Sequence, residues 1–263
     1  MKILRRGSSG PEVTAWQEFL RDQNFYHLKV DDDFGPGSEQ GTKDFQKVSP
    51  MALRETGIVD EKTYGKAAVL GFAIADQDDD VDKSGPNWPP KPEGLTPCSA
   101  ALREELFGKF AFEPAPTAGN PEGIRITDGW AAANVATVKV QQLVGVRYAG
   151  ANGFTQFNKK AAPQLQALFT AWERAGLLGR VLTWGGSYAP RFIRGSRTYL
   201  SNHAWGTAFD INVPWNGLRM RPALVGQKGS VRELVELAIE NGFYWGGFFT
   251  RLDGMHFEVS KLL

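Results

Sequence analysis

Apolar and polar positions along the chain fall into two blocks with different rhythms. In the first, Val13, Trp16, Gln17 and Leu20 recur at helical spacing, and a helix is predicted to start at Pro11, a residue that suits a first helical turn. A second helix is predicted over 38–48 with Thr42 and Phe45 inward, and a third over 61–68 capped by the Asp60 carboxylate. The stretch Val30-Asp31-Asp32-Asp33-Phe34-Gly35-Pro36-Gly37 between the first two reads as a solvated acidic turn. It lacks the ligand spacing and closing glutamate of a calcium loop. Residues 1–72 therefore form a small three-helix unit.

The second block, 98–263, mixes both periods. Ala162, Leu165, Leu168, Phe169, Trp172 and Leu177 mark an amphipathic helix within 159–178 that ends at Gly176 or Gly179, and a further helix is predicted over 231–241. Strands or extended segments are predicted over 107–112, 135–141, 144–148, 181–184 and 207–213, with another around His256. The expected class is α+β: an antiparallel sheet with helices packed on one side. Between the blocks, 73–97 crowds Asp76, Asp78, Asp79, Asp80 and Asp82 at one end and Pro86, Pro89, Pro90, Pro92 and Pro97 at the other. Repelling charges and extended prolines predict a semi-rigid linker there, not a packed element.

Composition narrows the function. At 263 residues and 42% hydrophobic content the chain can bury a sizeable core. A net charge of +1 gives no nucleic-acid signature, and no apolar run approaches the roughly 18 residues of a membrane span. A monomer is expected, and Cys98, the one cysteine, rules out an internal disulfide. The basic start Met1–Gly7 leads into Gly, Ser and Pro, so no secretory leader is read there. Residues 98–263 hold 18 Lys and Arg against 12 Asp and Glu, which favours approach to an anionic surface.

The candidate chemistry lies around Ser201-Asn202-His203-Ala204-Trp205-Gly206-Thr207-Ala208-Phe209-Asp210. Asp210 falls mid-strand, and Gly206 lets the chain fold His203 back towards it. Only three histidines exist. His27 sits in the small unit as a packing or surface residue, and His256 lies on the last predicted strand. His203, Asp210 and His256 would supply two nitrogens and an oxygen to a catalytic zinc, leaving a position for water. Asp253, three residues before His256, is the candidate general base. The His203–Asp210 spacing also suits a hydrogen-bonded core pair.

The pattern S-x-H-x-x-G-x-A-x-D followed by D-x-x-H resembles the VanY-type zinc peptidases, which include D-alanyl-D-alanine carboxypeptidases and the L-alanyl-D-glutamate endopeptidases of phage endolysins. The resemblance extends through Trp184-Gly185-Gly186-Ser187-Tyr188-Ala189-Pro190-Arg191-Phe192-Ile193-Arg194-Gly195-Ser196 and Gly242-Phe243-Tyr244-Trp245-Gly246-Gly247. It implies a Zn2+ enzyme cutting peptidoglycan stem peptides, released to the wall at phage lysis, with Arg191 stabilising the oxyanion and Arg194 and Arg197 as rivals for that role. A wall-binding protein without catalysis is the remaining alternative. Ser201 and Glu258 are candidates to orient the ligands, and Tyr188, Trp205, Tyr244 and Trp245 to line a cleft. In the first block, L-R-R-G-S-S-G-P-E-V-x-x-W-Q-x-x-L, D-D-F-G-P-G-S and G-I-V-D-E-K-T-Y resemble the three-helix peptidoglycan-binding domain of wall hydrolases. Asp32-Asp33 and Val59-Asp60-Glu61 stand where that domain usually has Asp-Gly turns.

Overall fold

The computed structural model describes residues 3–48, 53–69, 72, 83, 87–117 and 119–263. Its first block consists of α1 (Pro11–Asp22), α2 (Pro36–Lys47) and α3 (Glu61–Val69). Val13, Trp16 and Leu20 of α1 are fully buried. The Trp16 ring meets Phe45 of α2 edge-on at 5.6 Å and Tyr64 of α3 at 5.8 Å. Its indole N–H donates to Thr42 Oγ1 at 2.9 Å, so the largest core side chain leaves no polar atom unsatisfied. Gln17 fastens the acidic turn: its amide N–H groups donate to Asp31 Oδ1 (2.8 Å) and the Asp33 carbonyl (2.9 Å), and its carbonyl accepts from the Asp31 N–H (2.8 Å). Asp60 caps α3 as expected, Oδ1 accepting from the Thr63 N–H at 2.9 Å.

The second block gathers more chain than its composition suggests. Residues 73–82, the acidic half of the expected linker, lie outside the described residues, but within 87–97 Trp88 is packed into the domain. Trp88 is 7% exposed, 5.6 Å from the Trp245 ring, with the Arg232 guanidinium 4.4 Å over its face. Ser260 Oγ donates to the Thr96 carbonyl. One indole carrying roughly 150–250 Å² of apolar surface anchors this stretch to the domain.

Helix α4 (Ala100–Phe107) follows, its first turn capped by Ser99 Oγ, which accepts from the Leu102 N–H at 3.2 Å. The strand predicted over 107–112 is therefore corrected: Phe107 is the last inward residue of α4, and β1 covers only Phe112–Pro114, paired with β2 (Ile124–Ile126). A short α5 (Trp130–Asn134) leads into β3 (Val135–Lys139), which forms an antiparallel hairpin with β4 (Phe154–Asn158). Residues 144–148 do not form the strand that their valines suggested, because Gly145 and Tyr148 both adopt positive φ and turn the chain. α6 (Ala162–Arg174) buries Leu165, Leu168, Phe169 and Trp172, and Gly176 follows in the left-handed conformation.

The sheet that matters for function is antiparallel, ordered β5 (Trp184–Gly186), β6 (Ala208–Ile211), β8 (His256–Val259), β7 (Phe243–Trp245). Between β6 and β7 the chain forms α7 (Val213–Asn216) and α8 (Val235–Glu240), the latter preceded by a 3-10 turn at Arg232–Leu234 that shortens the predicted helix. Phe209 and Phe257 stack across β6 and β8 at 5.4 Å, and Trp172 of α6 lies 6.0 Å from Phe257. Side chains alternate along a strand, so the opposite face presents Asp210, His256 and Glu258. Among the described residues no helix is long and apolar enough to cross a membrane.

Candidate active site

Register brings the first two polar residues together. Asp210 on β6 is the direct cross-strand partner of His256 on β8, and directly opposed side chains share a face about 5 Å apart. His203 comes from a one-turn 3-10 helix, Asn202–Trp205, whose start is capped by Ser201 Oγ accepting from the His203 N–H at 3.3 Å. Gly206 then takes φ 65° and reverses the chain into β6. The outcome is a near-equilateral triangle: His203 Nε2 to His256 Nδ1 is 3.1 Å, His256 Nδ1 to Asp210 Oδ1 is 3.1 Å, and His203 Nε2 to Asp210 Oδ1 is 3.3 Å. All three residues are buried.

Hydrogen bonds on the far side of each ring set the tautomers. His203 Nδ1 is 2.6 Å from the Ser187 carbonyl and must donate to it; His256 Nε2 is 3.0 Å from Glu258 Oε2 and donates to that carboxylate. Two imidazole lone pairs and a carboxylate oxygen then converge with no proton of their own between them. A tetrahedral site with bonds of about 2.0–2.1 Å has edges of about 3.3–3.4 Å, so this donor set fits zinc.

The electrostatics agree that the centre calls for positive charge. Burial alone would raise the Asp210 carboxyl, but the two imidazoles hold it well below the usual carboxylate range. Burial opposes protonation of His256, yet hydrogen bonds that its ring donates to the Asp210 and Glu258 carboxylates push it up to about 10, while burial keeps His203 low. With no cation, a proton on His256 would be the stand-in.

Asp253 lies on the turn just before β8. Its Oδ1 is buried without a hydrogen-bond partner. Burial pushes its carboxyl up to about 7, with Asp210 adding to the rise and His256, Arg191 and Arg251 opposing it. Such a group can take up and release a proton near neutrality. Gly246 explains part of the glycine pair after Trp245. A Cβ there would stand 2.3 Å from the Asp253 carbonyl and 3.1 Å from both the Asp253 and His256 Cβ atoms, so any side chain would dislodge them.

Arg191, Arg194, His203, Asp253, His256 and Glu258 line one cavity of about 290 Å³, together with Arg103, Arg251 and the apolar Ile193, Leu200, Leu218, Phe249 and Met255. Arg191 is buried, and its Nη1 donates to the Phe192 carbonyl at 3.2 Å. Burial lowers it to about 10, which leaves it charged at neutral pH. Arg194 is held by Glu122 in an ion pair, and Arg197 is exposed and lines no part of the cavity. Of the three arginines, Arg191 is the one both lining the cavity and free of a carboxylate ion pair.

Two expected supports are found and four expected cleft residues are not. Glu258 bonds His256, and Ser201 bonds the backbone of His203. Trp205, Tyr244 and Trp245 are core residues, the Trp205 indole donating to the Gly108 carbonyl and that of Trp245 to the Gly254 carbonyl, and Tyr188 does not line the cavity. The aromatic that does is Phe249, whose ring centroid is 5.9 Å from that of His256. Arg103, Asn202 and Arg251 also escaped sequence reading. For Asn202 adjacency to His203 was a usable signal; for Arg103, 100 residues away, there was none. His27 is exposed in the small unit, and Cys98 is buried and free.

Comparison with known families matches both blocks. Residues 194–259 match a family described as D-alanyl-D-alanine carboxypeptidase, and residues 9–66 match a putative peptidoglycan binding domain. The first match contains His203, Asp210, Asp253 and His256; Arg191 falls just before it and Arg103 well before it. These are the two families that the motifs resemble, and the two matches support a peptidoglycan-acting peptidase. No curated protein and no solved structure matches the chain significantly.

Proposed function

We propose that the chain is a zinc-dependent peptidoglycan hydrolase of the endolysin kind, acting on the cell wall and cutting stem peptides at the L-alanyl-D-glutamate bond. The observation that carries this reading is the convergence of His203 Nε2, His256 Nδ1 and Asp210 Oδ1 within 3.3 Å of one another beside an unpartnered Asp253 carboxylate oxygen. His203, Asp210 and His256 would hold the ion, which when bound would supply a water acidified to a pKa of about 7 and polarise the scissile carbonyl. Asp253, whose buried carboxyl is pushed up to about 7, would serve as the base that takes a proton from attacking water and the acid that returns it to the leaving amine. Arg191 faces the negative charge that develops on the carbonyl oxygen. Around the cavity four guanidiniums, Arg103, Arg191, Arg194 and Arg251, stand against the carboxylates of Asp253 and Glu258 and the Asp210 behind them, an environment suited to an anionic peptide.

The description of the matched family supports a second reading, removal of the terminal D-alanine by the same site. Mass analysis of digested wall separates them. New amino termini on glutamate are expected; release of free D-alanine with no such termini assigns the carboxypeptidase reaction instead, and intact wall leaves only adhesion.

A further inference from the structure

Helix α4 precedes the site by a hundred residues and lies outside the matched stretch 194–259, yet one of its side chains reaches the back of the metal triangle. Arg103 is 7% exposed and lays its guanidinium 4.3 Å over the Trp205 ring. Its Nη1 donates to Asn202 Oδ1 at 2.6 Å and its Nη2 to the Leu200 carbonyl at 3.4 Å. Asn202 in turn donates from Nδ2 to Glu258 Oε2, the same oxygen that accepts the His256 Nε2–H at 3.0 Å. The other Glu258 oxygen accepts the Cys98 N–H at 3.0 Å.

We propose that Arg103 is a positioning residue of the metal centre, acting through Asn202 and Glu258 on His256; this rests on the zinc reading given above. An asparagine amide has two unlike ends of nearly the same shape. Arg103 has only donors, so it claims the Asn202 oxygen and leaves the NH2 aimed at Glu258. Without Arg103 the amide is free to turn, and its oxygen would then face a carboxylate and repel it. Glu258 would lose one of the two donors that, besides His256 itself, hold it in place, and His256 would lose the fixed acceptor that keeps its proton on Nε2 and its lone pair on Nδ1. Groups that orient a ligating histidine in this way commonly alter metal affinity by about 10–100-fold. The stacking on Trp205 ties the same cation to the 3-10 turn that carries His203, so α4 braces both imidazoles. The metal site is thereby completed by a helix and an upstream amide that its motif does not contain.

The test uses the full chain as wild type, Arg103→Met, Asn202→Ala and the double variant, since methionine keeps the packing against Trp205 while deleting the donors. Zinc affinity is measured by competition with a chromophoric chelator, the Co2+ absorption spectrum reports ligand geometry, and thermal unfolding checks the fold. Arg103→Met is expected to weaken zinc binding about 10–100-fold and to alter the Co2+ bands, and the double variant to bind no more weakly than the weaker single, because both changes break one chain of contacts. A folded Arg103→Met protein with wild-type affinity and spectrum overturns the proposal, as do additive losses in the double variant. If Arg103→Met does not fold, unchanged zinc affinity in Asn202→Ala overturns it instead. Failure of the wild type to take up zinc at all refutes the underlying metal reading, a result distinct from any of these.

Discussion

His203 and His256 offer unlike ring nitrogens to the same point: Nε2 of the first and Nδ1 of the second lie 3.1 Å apart, and each ring's other nitrogen is committed to an acceptor. That asymmetry follows from where the rings are mounted. His256 stands on a strand directly opposite Asp210, with Glu258 two residues on along the same face. His203 swings in from a separate turn whose exit is Gly206. Two lone pairs facing each other beside a carboxylate repel unless something positive, a metal ion or a proton, sits among them, and the three atoms are placed so that they could hold a metal ion.

Arg191 is expected to act on the developing oxyanion and not on the fold. Arg191→Met should lower kcat for a soluble stem peptide about 100-fold or more with zinc content unchanged. Arg194→Met should instead lower Tm, because it leaves Glu122 without its buried partner. Steady-state kinetics and thermal unfolding of the two variants distinguish these roles, and an unaffected kcat in Arg191→Met removes its assignment.

Asp253 ties activity to stability. Its folded pKa of about 7 lies above the ordinary carboxylate value of 3.8, so ionising it works against folding, a cost that begins above the unfolded pKa and is complete above pH 7. In chelator-treated protein, Asp253→Asn should therefore raise Tm at pH 8 and make no difference near pH 3. The same variant should lose hydrolysis while still binding zinc. Retained hydrolysis would show that another group takes the proton from water.

Trp88 is expected to behave as a core residue of the second block. Trp88→Ala deletes a ring 7% exposed and packed on Trp245, and should cost on the order of 3 kcal/mol. Denaturant unfolding measures this, and a change below about 0.5 kcal/mol would mean that the segment is held by its backbone alone.

Much of this site could be read from the chain because its parts obey short-range rules. His203, Gly206 and Asp210 are a turn and a strand within eight residues, and Asp253 and His256 sit three apart at a strand entrance. The helices of the small unit announced themselves by Val13, Trp16 and Leu20 and by the Asp60 cap. What escaped depends on tertiary contact. Phe107, Phe110 and Phe112 suggested a strand, but Phe107 closes α4 with its ring buried in the core. Trp88 looked like part of a spacer because its prolines dominate local backbone preference and say nothing about where an indole can lodge. Trp205, Tyr244 and Trp245 are as apolar as cleft residues, and only their burial, with the indole bonds of Trp205 and Trp245, shows them to be core. Arg103 reaches the site through Asn202, a link no sequence spacing encodes.

We propose that His203, Asp210 and His256 hold one zinc ion. Equilibrium zinc titration of the full chain, beside His203→Ala, Asp210→Ala and His256→Ala, tests it most directly. One tightly bound ion per chain in the wild type is expected, with binding lost or weakened by orders of magnitude in every variant. Absence of stoichiometric zinc in the folded wild type, or wild-type affinity in any of the three variants, would contradict it.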